Sequence, residues 1–132
     1  APLAWLHVGR LQSHVGRPAE ASRAWKSVTF PIASDGAYLA RLFRGRAHWL
    51  EQQVELARAD VEQALAWRTG AQSALVSTAA LQFLSGERDR AATLAERALS
   101  GQAVDHDPWQ SYFRGEYEQW PVRIAQLRAE LQ

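Results

Sequence analysis

Apolar residues recur three and four positions apart along most of the chain, a spacing that predicts amphipathic helices rather than strands. Helices are expected near residues 3–15, 18–29, 37–51, 54–67, 72–85 and 87–100. Pro18 follows the Gly16-Arg17 turn and suits a first helical position, where its missing N–H is no loss. Residues 30–36, with Pro31 and Asp35-Gly36, have the composition of a turn. The link over 101–108 ends in Asp107-Pro108, whose aspartate can cap a following helix. Beyond it, 109–119 and 121–131 are expected as a last helix pair, broken at Trp120-Pro121 because proline disfavours helix at the residue before it. Ile124, Leu127 and Leu131 make an apolar stripe on the final helix.

A longer period runs through the same pattern. A small residue in one predicted helix is followed twelve positions later by an alanine near the start of the next: Gly9 and Ala21, Gly45 and Ala57, Ala79 and Ala91. The first markers stand 36 (Gly9 to Gly45) and 34 (Gly45 to Ala79) residues apart, and a further 36 lands on Gly115. Glycine inside a helix costs about 1 kcal/mol relative to alanine, so Gly9 and Gly45 mark places where a neighbouring helix comes too close for a side chain. A plain antiparallel bundle needs no common spacing. A stack of hairpins does, because each hairpin buries its apolar faces only against its neighbours. The expected units are about 2–35, 38–69 and 72–101, with capping helices over 107–132, in a single domain of 132 residues.

The first unit reads Trp5-Leu6-His7-Val8-Gly9, then Gly16-Arg17-Pro18-Ala19-Glu20-Ala21, then Trp25. The second keeps Gly45 and Ala57 but has Arg41 where the first has Trp5, and the third runs Ala79-Ala80-Leu81 through Ala91, Ala95, Ala98 and Leu99. This order of aromatic, large apolar, small residue and later alanine resembles the tetratricopeptide repeat family over residues 3–100, and only weakly over 107–131. Gln12 stands where that family usually has tyrosine, and Arg41 where it has an aromatic. The resemblance implies an all-α fold, a right-handed α-α superhelix of helical hairpins. It also implies a non-catalytic protein-interaction scaffold that holds a peptide or helix in its concave groove. The alternative is a structural repeat segment of a larger protein, packed on its own neighbouring domains.

In the family register the concave side carries Leu3, Leu6, Arg10, Ser13 and His14 from the first unit. Leu39, Leu42, Arg46, Trp49 and Leu50 follow from the second, and Val76, Ala80, Phe83 and Leu84 from the third. The candidate partner-binding residues among them are Leu6, Arg10, His14, Leu42, Arg46, Trp49, Val76 and Phe83. Arg10 and Arg46 would form a two-rung cationic ladder in an apolar trough, which suits a partner with acidic residues. The lysine and asparagine positions with which the family grips acidic chaperone tails are Leu6, Phe43 and Val76 here, which argues against a chaperone partner. Trp5 and Trp25 are expected in the core, Trp67 at a hairpin end, and Trp109, Tyr112 and Phe113 as the contact of the last pair with the third repeat.

Fifteen basic and fourteen acidic residues nearly cancel, so no overall field points to nucleic acid. The local cluster Arg41, Arg44 and Arg46, with Phe43 and Trp49, is read as a salt-bridged face, since Glu51, Glu55 and Asp60 lie within the same hairpin. Fourteen of the cations are arginine and Lys26 is the single lysine, a bias that, with abundant alanine, is associated with GC-rich bacterial genomes. There is no cysteine for a disulfide or thiolate site. His106 between Asp105 and Asp107 converges badly as a metal site, and His7 and His14 lack the spacing of helical zinc ligands. No serine has an elbow motif or a histidine base at a recognisable spacing, and no cofactor motif occurs. No apolar run reaches a membrane span. The chain has no methionine and opens on Ala1-Pro2-Leu3 inside a predicted helix, so a piece of a longer or processed chain is expected.

Overall fold

Each hairpin turns through one residue with left-handed backbone, and these residues recur with the period of the sequence markers. They are Gly16, Gln52 and Gly86, with φ of 82°, 63° and 86°. The same six-to-one hydrogen bond closes each turn at 2.8 Å, from Arg17 to the Gln12 carbonyl, Gln53 to His48 and Glu87 to Gln82. The computed structural model describes residues 9–12, 14–26, 29–100 and 107–131. Residues 9–12 are helical and lead through Gly16 into α1, Pro18–Lys26. Then come α2, Asp35–Leu50; α3, Val54–Trp67; α4, Gln72–Leu84; α5, Arg88–Leu99; and α6, Pro108–Leu131. No strand occurs among the described residues. From α1 to α5, helices adjacent in the chain pack on one another, most closely within the α2/α3 and α4/α5 hairpins, whereas α6 packs on α2.

The marker residues lie where the helices meet. Ala21, Ala57, Ala79 and Ala91 are buried. A Cβ on Gly9 would run into the indole of Trp25, and one on Gly45 would lie 2.9 Å from Val61 Cγ1 and 3.4 Å from the Ala57 carbonyl oxygen. Trp25, Tyr38, Leu39, Leu42, Phe43, Val61 and Leu81 fill the core between these contacts.

Two expectations from the sequence are corrected. Asp35 and Gly36 do not form a turn. Ser34 caps α2, its Oγ accepting from the Ala37 N–H at 3.2 Å, and Asp35 then favours the first turn through the helix dipole. The last helix pair is a single helix, because Pro121 interrupts neither side of α6. Proline in a helix removes one backbone bond and disfavours its predecessor, which here falls short of breaking a 24-residue helix.

Gln52 alone of the three turn residues carries a side chain into left-handed backbone. Gln52→Gly is therefore expected to stabilise the fold by about 0.5–1 kcal/mol, the left-handed cost of roughly 1–2 kcal/mol less the extra backbone entropy of glycine. Urea melts would show this as a raised midpoint, with Gln52→Ala giving no gain.

Candidate docking cleft

Helical spacing places Leu42, Arg46 and Trp49 on one side of α2, and Ser77, Ala80 and Leu84 on the facing side of α4. With Val61 of α3 below and Trp109 of α6 as a wall, they enclose an apolar cleft of about 220 Å³. Arg46, Trp49, Ala80 and Leu84 are exposed in it, whereas Leu42 is buried in its floor. Among the described residues Arg46 is the only formal charge in the lining. An arginine over apolar walls suits a carboxylate carried on an apolar segment.

The other candidate groove residues are dispersed. Leu6 lies outside the described residues, and His14 is exposed beside the Gly16 turn. Arg10 lies over the rings of Tyr112 and Phe113, 6.0 and 5.8 Å from their centroids, so α6 engages one rung of the expected ladder. Val76 and Phe83 line a separate trough with α5, which shares only Ala80 and Leu84 with the cleft.

The position of α6 also departs from expectation. Trp109, Tyr112 and Phe113 gather around Phe43 of α2, with ring centroids 4.7, 5.7 and 6.4 Å from it, and Phe43 stacks on Trp25 at 5.5 Å. The rings thus meet the second unit, while Trp109 also faces Ala80 and Leu84 of the third across the cleft. Polar bonds hold the helix start to α4. Asp107 accepts from the Ser73 N–H at 2.8 Å and the Tyr38 hydroxyl at 3.2 Å, and Gln110 donates to Gln72 at 2.9 Å. Asp107 also caps its own helix through the Trp109 N–H at 3.1 Å. Burial, then the neighbouring Asp107 charge and its hydrogen bond, push the Tyr38 hydroxyl far above the usual tyrosine range and keep it a neutral donor.

Behind the cleft, α2 and α3 share a buried polar cluster. Asp60, 2% exposed, accepts from Arg41 at 2.9 Å and from His48 Nδ1 at 2.8 Å, with Arg44 at 3.7 Å. The sequence reading offered Asp60 to these arginines, but on a solvated face. His48 joins the group without a signal in its local sequence. For the other three a signal was present: positions occupied by Trp5, Val8 and Ala24 in the first unit and by Leu75, Thr78 and Leu94 in the third hold Arg41, Arg44 and Asp60 in the second. His106 and its neighbour Asp105 lie outside the described residues. Among the described residues no three histidine or acidic side chains are grouped to hold a metal.

Hairpins of this length, related by one repeat and meeting at small residues, have counterparts among solved structures. The second TPR domain of Spaghetti (RPAP3), bound to the HSP90 peptide SRMEEVD, superposes with a TM-score of 0.63 at 22% identity, over 74% of this chain and 89% of that one. MamA superposes with a TM-score of 0.64 at 21% identity, over 75% of this chain. The fold is that of tetratricopeptide repeats. This chain spans 57% of the length of MamA. No family model and no curated protein sequence matches it. The cleft lies between α2 and α4, and Trp109 of α6 borders it.

Proposed function

We propose that this chain is a non-catalytic interaction module that docks a peptide or helix in the α2/α4 cleft. The carrying observation is the open apolar lining with exposed Trp49 and Arg46 at its mouth. A cleft of about 220 Å³ accommodates one or two anchoring side chains, not a whole ligand. The partner is then a segment with an apolar anchor against Trp49, Leu84 and Trp109 and a carboxylate for Arg46. A tetratricopeptide domain of similar fold holds a peptide rich in glutamate and aspartate, which agrees with this class of partner. The reading calls for no cofactor, no nucleic acid and no reaction step. No described helix is long and apolar enough to cross a membrane.

The second reading, a structural segment of a larger protein, is favoured by α6. Its Trp109 already lends a wall to the cleft, and its aromatic residues cover Phe43. The two readings differ in what enters the remaining space. Peptides selected by display on the intact chain should be apolar and acidic. Trp49→Ala and Arg46→Glu should each weaken them at least about tenfold, the effect of losing a central anchor or a charge-assisted bond. Both side chains are exposed, so helicity should be unchanged. Selected peptides that bind both variants as well as the parent would remove the cleft as the docking site.

A further inference from the structure

Two apolar faces lack a neighbour among the described residues, one a trough and the other a ridge. The first is a trough of about 900 Å³ between α4 and α5. Alanines 79, 91 and 95 form its floor, while Val76, Phe83, Leu84 and Leu99 stand along its rims, each more than half exposed. The second is the end of α6. Every residue from 125 to 131 is exposed there, with Leu127 and Leu131 one turn apart on one face. Two turns of helix without packing are not held by propensity alone. Leucines at i and i+4 form a ridge, and a ridge fits between two helices over a floor of small residues. Charges agree with the fit, since Arg88 and Asp89 mark one end of the trough and Arg128 and Glu130 flank the ridge. Among the described residues α6 packs on α2 and does not cover the trough.

We propose that a second copy of this chain covers it. The Leu127/Leu131 ridge of one molecule docks between α4 and α5 of the next, with Glu130 toward Arg88 and Arg128 toward Asp89. Trough and ridge are different surfaces, so the contact is head-to-tail and each pair retains one free trough and one free ridge. A two-turn ridge offers less area than a stable dimer requires, so the association is weak and grows with concentration. This surface shares Ala80 and Leu84 with the docking cleft, but its test does not depend on any peptide.

Sedimentation equilibrium on the intact chain should give a weight-average mass that rises with concentration above the 14.8 kDa monomer and does not level off at the dimer. Phe83→Asp removes the trough and Leu127→Asp the ridge. Phe83 and Leu127 are 56% and 55% exposed, so both variants should keep the parent circular dichroism. Each variant alone should stay monomeric. An equimolar mixture should form a one-to-one heterodimer and stop there, because the intact ridge of one fits the intact trough of the other. A parent that is monomeric at every concentration overturns the proposal, as does association that survives either substitution. A mixture that stays monomeric overturns it as well, since that behaviour belongs to a symmetric interface.

Discussion

Asp60→Ala is expected to lower the stability of the chain by about 3 kcal/mol, the low end of the roughly 3–5 kcal/mol for losing one partner of a buried ion pair. The low end applies because Arg41 and Arg44 are 33% and 25% exposed and can turn their guanidinium groups to water. His48, 5% exposed, has no such escape and would be left with its Nδ1 facing a cavity. Asp60→Asn keeps an oxygen that can accept from Arg41 and should cost less. The neighbouring repeat supplies the compensating control. Replacing Arg41, Arg44, His48 and Asp60 by the residues at the same positions of the third unit, leucine, threonine, glutamine and leucine, exchanges the cluster for packing already used in this chain. Such exchanges are often neutral or stabilising, so the quadruple variant should recover most of what Asp60→Ala loses. Urea unfolding followed by circular dichroism measures all three. An Asp60→Ala midpoint equal to that of the parent would mean that the cluster contributes nothing to folding.

That cluster marks the limit of what periodicity reveals. The glycine and alanine markers were legible because close helix contact imposes one residue type at one spacing, and Gly9, Gly45, Ala57 and Ala91 are all found at contacts. Helix bounds followed from the same pattern to within a few residues, Ser34 drawing Asp35 and Gly36 into α2, except that the break expected at Trp120-Pro121 is absent from α6. Tertiary use of polar residues was not legible. Asp107 reads as a helix cap and is one, but no local signal announces that the same carboxylate also receives Tyr38 and Ser73. Aromatic density in 109–113 announces a buried contact without naming its partner. The partner is Phe43, which also stacks on Trp25. The candidate groove residues are divided between two cavities for a related reason. A register assigns side chains to a face of their own helix, and whether Val76 shares a cavity with Trp49 depends on how α4 is tilted between α2 and α5.

Gly45→Leu should produce the second large loss. A leucine needs space for its Cβ and three further carbons, and the Cβ alone would lie 2.9 Å from Val61 Cγ1 and 3.4 Å from the Ala57 carbonyl oxygen. Val61 can yield by rotating, but a backbone carbonyl retreats only if α3 moves. Overpacking that shifts a helix costs about 1–3 kcal/mol, occasionally more, and the loss here should reach the upper part of that range because Asp60 Cβ stands 3.5 Å away on the same helix. Gly45→Ala separates sterics from propensity. Its single methyl meets mainly the movable Val61, and the gain of about 1 kcal/mol in helix propensity offsets much of that contact, so its midpoint should fall near the parent. Gly9→Leu carries the same clash to a different end. It displaces the indole of Trp25, on which Phe43 stacks, and Phe43 in turn holds Trp109, Tyr112 and Phe113. Gly45→Leu should therefore unfold earlier with parent-like tryptophan emission before the transition. Gly9→Leu should shift that emission to the red in the folded baseline as α6 loosens from α2. Both leucine variants melting with the parent would show that the helices do not meet at these glycines, and the repeat register would fall with them.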